Sequence, residues 1–343
     1  MKLKVDLFSD TGTRPSKEMR EFMAKAEVGD EQLGEDPSVN RLNEMVAELL
    51  GKEDAIYLPS GLMANQISFA VHCRPGDEII MDKTAHPIHF EGGAVSVISG
   101  ASINPLDGEN GIFTTEQVIK AIRTSDYHHP RTRLISIEQT SNLGGGTIWP
   151  LDVIEDICQL AREHNLKTHM DGARLLNAVA ATGIPASKYA EHFDSIWIDL
   201  SKGLGAPVGS VLASSRDFIE EARYWKQRLG GAMRQAGIIA AGGIYALKHN
   251  LERLQEDNDN ARYLAEEMAR LKNIEIDPET VETNIVIFKV KGLTAEQFSK
   301  ELIKRGVRVS IIAKDTLRAV THLDVNRQDI DYALTVIKEV TGS

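Results

Sequence analysis

The sequence predicts an α/β fold, with a mostly parallel sheet, helices on both faces, and a smaller α+β domain at the C-terminal end. Three observations carry that reading. Short β-branched runs such as Ile79-Ile80-Met81 and Leu134-Ile135-Ser136-Ile137 alternate with longer stretches of helical periodicity. Residues 195–212 read as strand, break, strand, the break being spelled by Gly203, Gly205, Pro207 and Gly209. Beyond about residue 272 the pattern becomes β-α-β-α, as in a separate small layer. The expected division is an N-terminal arm (1–30), a large domain (31–245) and a small C-terminal domain (246–343).

In chain order, the first forty residues are irregular, apart from a short helix capped by Ser16. The loop from Val28 to Pro37 carries four acids and reads as a solvated acidic loop. Val39, Leu42, Met45, Val46, Leu49 and Leu50 give residues 38–50 one apolar helical face, stopped by Gly51. Residues 55–59 make a strand, Ser60-Gly61 a turn and residues 62–71 a helix. Strand, turn and helix N-terminus together form a phosphate cradle of free amides, although any α/β chain has several such turns. Strands follow at 77–82 and 133–138, the second leading into the glycine loop Asn142 to Gly146. A helix over 151–164 precedes the strand that ends in Asp171. A helix around Phe218, a long helical stretch over 238–272 and the small domain complete the chain. In that domain 284–290 and 316–321 are strands, 294–305 is a helix, and Asn326 caps the last helix.

Chemistry gathers at two strand ends. Ser201-Lys202 stands where the 195–200 strand stops, among glycines and apolar residues. A lysine there is poorly solvated, and a desolvated amine is a usable nucleophile; the plain alternative is a solvated loop lysine. Asp171 ends the neighbouring strand pattern. An acid and a lysine at adjacent strand ends are what pyridoxal 5'-phosphate requires. The lysine forms the Schiff base and the acid keeps the pyridine nitrogen protonated, so that the ring takes up electrons. His86 follows another strand end and suits ring stacking or proton transfer. Arg318, flanked by Leu317, Ala319 and Val320, needs a carboxylate, which is either a substrate's or one of the protein's own.

Composition narrows the alternatives. The 343 residues are 42% hydrophobic and 26% charged, with a net charge of −11, which disfavours nucleic-acid and anionic-membrane partners. No apolar run reaches membrane-spanning length and no signal-peptide core stands at the start, so the chain reads as cytoplasmic. Cys73 and Cys158 sit in apolar helical patterns as small core residues, and His86, His89 and Glu91 lack the further ligands of a metal shell. Gly203-Leu204-Gly205 misses the dinucleotide-binding spacing, which argues against an oxidoreductase.

Taken together, these stretches resemble the low-specificity L-threonine aldolases, fold-type I pyridoxal phosphate enzymes of the β-eliminating lyase group. The resemblance runs over nearly the whole chain. It rests on Asp6 through Thr11, Gly34-Glu35-Asp36-Pro37, Pro59-Ser60-Gly61, Asn65-Gln66, His86, Asp171-Gly172-Ala173-Arg174, Ser201-Lys202-Gly203-Leu204, Met233-Arg234-Gln235-Ala236-Gly237 and Arg318 through His322. It implies the transferase-like fold of that group and a role for each matching residue. Lys202 carries the cofactor and Asp171 meets its ring nitrogen. Ser60, Gly61, Leu62 and Ser201 contribute to cofactor binding, with His86 stacking on the ring. Ser9, Arg174 and Arg318 surround the substrate carboxylate, Arg174 also bordering the cofactor. His86 and His128 are the candidate bases for the β-hydroxyl proton. Arg234 reaches the phosphate in a neighbouring subunit, the alternative being use within its own. The same resemblance implies a homo-oligomer, a dimer with shared sites within a homotetramer. The implied reaction cleaves a β-hydroxy-α-amino acid to glycine and an aldehyde; β-elimination or transamination on the same frame is the rival. Leu62, Leu33, Ser141 and Gln227 depart from the family's pattern.

Overall fold

The computed structural model describes residues 3–124 and 126–342. In chain order its strands are β1 (Val5–Leu7), β2 (Asp54–Leu58), β3 (Asp77–Asp82), β4 (Ser102–Leu106), β5 (Arg131–Glu138), β6 (Lys167–Gly172), β7 (Ser195–Asp199), β8 (Ser210–Ser214), β9 (Ile274–Glu275), β10 (Ile285–Val290), β11 (Val307–Ile311) and β12 (Thr316–Val320). The large sheet runs β2-β8-β7-β6-β5-β3-β4 and the small one β1-β11-β12-β10-β9. From β4 through β7 all pairings are parallel, and β8 alone runs against its neighbours β7 and β2. The reason is the connection: residues 200–209 form a loop with no helix, and a parallel partner needs a crossover.

Four helices before β4 position the site: α1 (Lys17–Met23), α2 (Pro37–Leu50), α3 (Gly61–His72) and α4 (His86–His89). Helices cover both faces of the large sheet. Leu42, Val46 and Leu50 of α2 join Ile154 and Ile157 of the Leu151–Glu163 helix in one core. Ile67 of α3 meets Phe218 and Ile219 on the other. The small sheet has its own core of Phe288, Phe298, Leu302 and Ile337, to which Val5 and Leu7 belong.

Several expectations change on contact with the fold. The N-terminal stretch, expected to be irregular, contains a strand: β1 pairs in parallel with β11, and the Phe22 ring lies 5.9 Å from that of Tyr245. The acidic loop is not wholly solvated. Asp36 is fully buried and caps α2 through Ser38 and Val39, while its other oxygen accepts from the amides of Gly29 and Gly237. The long helical stretch is two helices, Gly237–His249 and Leu254–Ala269. At the break Asn250 turns its side chain to the carbonyl of Leu204, 2.7 Å away, which ties the turn to the lysine loop. β11 was missed, although Val307-Arg308-Val309-Ser310-Ile311 alternates as a half-buried strand should.

Candidate active site

The site lies at the C-terminal ends of β5, β6 and β7, where ligands settle in sheets of this kind. Beyond β7 the chain turns sharply. Ser201 donates to Asp199 Oδ1 from both its amide and its hydroxyl, at 2.6 and 2.8 Å. Gly209, at a φ of +106°, lets the loop return beside Tyr57; a Cβ there would stand 2.4 Å from that ring. Thr13 donates to the carbonyl of Lys202 at 2.9 Å, so the N-terminal segment holds the loop from outside. The Lys202 side chain is 15% exposed, with its Nζ 3.2 Å from Asp199 Oδ2 and 5.8 Å from the centre of the Trp197 ring.

Asp171 is buried. Its Oδ2 accepts from Asn65 Nδ2 at 2.8 Å and its Oδ1 from the amide of Ala173 at 3.0 Å. Burial pushes the carboxyl up, and Lys202, His86 and the Asn65 hydrogen bond pull it back. Asn65 cannot flip. The Trp197 indole N–H, a donor only, points at Asn65 Oδ1 from 2.7 Å, so the amide nitrogen must face Asp171 and Glu91. Glu91 Oε1 in turn accepts from His86 Nδ1 at 2.9 Å, which puts the lone pair of the neutral ring on Nε2, and His86 lines the cavity. Behind Asn65, His169 links to Ser195 and then to His72, and burial keeps both imidazoles neutral.

The phosphate cradle predicted after β2 is present. Ser60 caps α3 by accepting from the amide of Met63, and Gly61 and Leu62 occupy the first positions, whose amides have no partner within the helix. Any larger residue at Gly61 is excluded, since its Cβ would fall 2.2 Å from the Trp197 ring. Gly61, Leu62, His86, Asp171, Ala173 and Lys202 line one cavity, joined by Arg174, Asp199 and Glu138.

The two arginines differ. Arg174 is buried and gripped by Asp10, Nε to Oδ2 at 2.7 Å and Nη2 to Oδ1 at 2.8 Å. Arg318 donates to Asn142 Oδ1 at 2.7 Å and Ser310 Oγ at 3.3 Å, and among the described residues no carboxylate pairs with it. Ser9 caps the short turn that delivers Asp10. Two residues named from the resemblance lie outside this cavity within one protomer. His128 is exposed and precedes β5, whereas the cavity lies at that strand's other end; eight residues of strand separate them, about 25 Å. Within one protomer His128 therefore does not meet Lys202. Arg234 is 62% exposed and pairs with Asp30 at 2.8 Å. Leu33, one of the positions that depart from the family's pattern, is 70% exposed. A wider cleft of about 760 Å³ opens near His129, but its arginines are engaged: Arg123 by Glu78, Arg131 by Asp77, and Arg133 by the carbonyls of His72 and Asn165.

Asp10, Asn65, Glu91, Glu138, Trp197 and Asp199 were not singled out as site residues from the sequence. Asp199 had a signal, an acid three residues before the lysine at a turn. Glu138 had another, as the terminal acid of a strand parallel to the one ending in Asp171. The donor set fits pyridoxal 5'-phosphate: a buried anion for the ring nitrogen, an amine, free amides at a helix start where only glycine fits, and Ala173 and His86 beside the cavity.

The profile of the beta-eliminating lyase family matches residues 6–291. The low-specificity L-threonine aldolase of Escherichia coli (strain K12) is 42% identical over 327 residues, 95% of this chain and 96% of that one. A probable low-specificity L-threonine aldolase 2 of Arabidopsis thaliana is 40% identical over 346 residues, covering 99% and 98%. Among solved structures, a Leishmania major threonine aldolase superposes with a TM-score of 0.85 at 19% identity, covering 98% and 99%. A putative L-allo-threonine aldolase from Listeria monocytogenes gives 0.83 at 20%, covering 99% and 97%.

Proposed function

The chain belongs to the beta-eliminating lyase family, with the low-specificity L-threonine aldolases among its relatives, and from that membership we propose how its residues do their work. It is a pyridoxal phosphate-dependent carbon–carbon lyase that cleaves L-threonine and related β-hydroxy-α-amino acids to glycine and an aldehyde, acetaldehyde from threonine. The cofactor, when bound, supplies an electron sink for the bond that breaks at Cα.

The rest falls to the protein. Lys202 Nζ would hold the cofactor, and Asp199 is its counter-ion. Asp171, whose charged form Asn65 and the Ala173 amide favour, would meet the ring nitrogen. Ser60, Gly61 and Leu62 receive the phosphate on backbone amides, because Leu62 brings no hydroxyl. Ser201 acts indirectly, by holding Asp199. Arg318 takes the substrate carboxylate, with Ser9 beside it, while Arg174 shapes that pocket from its pair with Asp10. His86 Nε2 takes the β-hydroxyl proton, and Glu91 holds the ring by Nδ1. The observation that carries this reading is the meeting of Lys202, Asp171, His86 and Gly61 around one cavity.

We also take the enzyme to be a homo-oligomer whose sites are completed across a two-fold interface by Arg234. No helix among the described residues is long and apolar enough to cross a membrane, and we place the enzyme in the cytoplasm. The test is a product assay. L-threonine, L-allo-threonine, serine and phenylserine are each incubated with enzyme and pyridoxal phosphate, and glycine, aldehyde and ammonia are measured separately. Glycine and aldehyde in equal amounts support the aldolase; ammonia with a keto acid means β-elimination instead.

A further inference from the structure

Glu138 ends β5 as Asp171 ends β6, and the two are register partners. Parallel strands in register present such a pair on the same face of the sheet. Glu138 is 8% exposed and borders the cavity of Lys202 and His86. Among the described residues no side chain pairs with its carboxyl. The charges facing it are Asp171 on β6, Asp82 on β3, Arg174 and Lys202 beyond the strand ends, and Arg318 from the small sheet; the His86 backbone also approaches.

Two buried carboxyls side by side do not both ionise. Asp171 holds its charge better, through Asn65 and the Ala173 amide. Burial, followed by the charge of Asp171, pushes Glu138 up to about 8. At neutral pH the proton of the pair rests on Glu138.

Strand order decides what that proton meets. Gly61, in the phosphate cradle, touches Trp197 on β7, to one side of Asp171, and Glu138 on β5 is to the other. In pyridoxal phosphate the phosphate arm and the phenolic oxygen flank the aldehyde carbon on opposite sides of the ring. With the nitrogen at Asp171 and the phosphate toward β7, the phenolic oxygen faces β5. We propose that Glu138 is a further catalytic residue, a neutral acid that donates a hydrogen bond to the phenolic oxygen of the cofactor. It stabilises negative charge on that oxygen and so sets the electron demand of the ring. The inference rests on the cofactor reading above.

The test compares wild type, Glu138→Gln and Glu138→Ala by titrating the visible absorbance of the bound cofactor and by measuring its affinity. Glutamine keeps a neutral donor, so its spectrum at neutral pH and its cofactor affinity, within about threefold, should match wild type. Wild type should show a pH transition, above the usual carboxylate range, that Glu138→Gln lacks. Alanine removes the donor and should shift the band and weaken the cofactor roughly five- to tenfold, the worth of one hydrogen bond. A second readout needs no cofactor. The native state keeps the Glu138 proton to about pH 8, whereas an unfolded chain releases it near ~4.3. The native state thus binds more protons between those values, and wild-type stability falls there as pH rises. Glu138→Gln apoprotein, followed by urea unfolding, should gain on wild type across that window and then level off. Equal spectra and affinity in a folded Glu138→Ala, or parallel stability curves for Glu138→Gln and wild type, would overturn the proposal. Should alanine prevent folding, the glutamine titration decides alone. If wild type binds no pyridoxal phosphate, the cofactor reading itself has failed and takes this proposal with it.

Discussion

Asp10 grips Arg174 through two parallel hydrogen bonds, 2.7 and 2.8 Å long, with both side chains out of water. The pair divides the labour between two arginines that look alike in the sequence. Arg174 already has its carboxylate, and Arg318 does not. Arg318→Ala should therefore act on the substrate. Leaving a bound carboxylate unpaired in a mostly dry site costs ~2–5 kcal/mol. That is a fall in kcat/KM of roughly 30- to several-thousand-fold, with little change in thermal stability. An effect below about threefold on steady-state kinetics would mean that Arg318 only braces Asn142 and Ser310.

Arg174→Ala should act on folding instead, because Asp10 would be left charged and buried. Breaking such a pair costs about 3–5 kcal/mol, read as a lowered urea midpoint. The deficit should depend on pH in a defined direction. Burial alone would raise the Asp10 carboxyl, but Arg174, with help from Lys202 and Asn284, holds it well below the usual carboxylate range. The unfolded chain therefore takes up that proton first. The pair's contribution is complete above about pH 3.9 and drains away as pH falls further. The gap between wild type and variant should be widest near neutrality and narrow in acid. A gap that stays constant down to about pH 3 contradicts this account.

His86→Phe should keep an aromatic ring against the cavity and lose the nitrogen that moves the proton. Removing a general base slows turnover about 10²–10⁴-fold. Glu91→Gln tests the same point more gently, because it keeps the shape while weakening the hold on His86 Nδ1; a smaller loss of kcat with KM nearly unchanged is expected. Rates within a few-fold of wild type in His86→Phe would leave the ring a stacking role only.

Lys202→Ala should abolish multiple turnover, and borohydride should no longer fix pyridoxal phosphate to the chain. Labelling that persists in the variant at another lysine would move the attachment point.

Arg234 permits a test of shared sites. Lys202→Ala and Arg234→Ala should each be nearly inactive alone. In mixed dimers formed by random pairing, about half are hybrids, and each hybrid has one site with both residues intact. Recovered activity should approach about a quarter of wild type. If activity stays at the level of the single variants, Arg234 works within its own subunit.

How much of this was legible beforehand depends on what sort of signal each residue leaves. Lys202 and Asp171 stood out because glycine punctuation and strand ends are local patterns. The sheet's one reversed strand was hidden, since direction in β8 follows from a missing crossover rather than from the residues of the strand. Asp10 and Arg174 lie 164 positions apart, and no periodicity links an irregular N-terminal segment to a strand end. Glu138 and Asp199 look in the sequence like the ordinary polar ends of strands; only the register beside Asp171 and the turn beneath Lys202 turn them inward. His128 shows another gap, since within one protomer it lies at the far end of β5 from the cavity. A motif carries a residue type but not the end of the strand on which it sits.

The pairing of β1 with β11 sets a timetable. Val5 lies beside Val307, so β1 must wait until the whole large sheet has been made before it has a partner. Until then Asp10 has not been brought to Arg174, nor Thr13 to the lysine loop. Such distant closure is the slow part of folding, and larger chains meet it through partly formed intermediates. The large sheet has all its strands long before that, yet its arginine and its lysine loop remain unbraced. Completion of the active site thus comes late, when β11 arrives to hold the segment that carries Asp10 and Thr13.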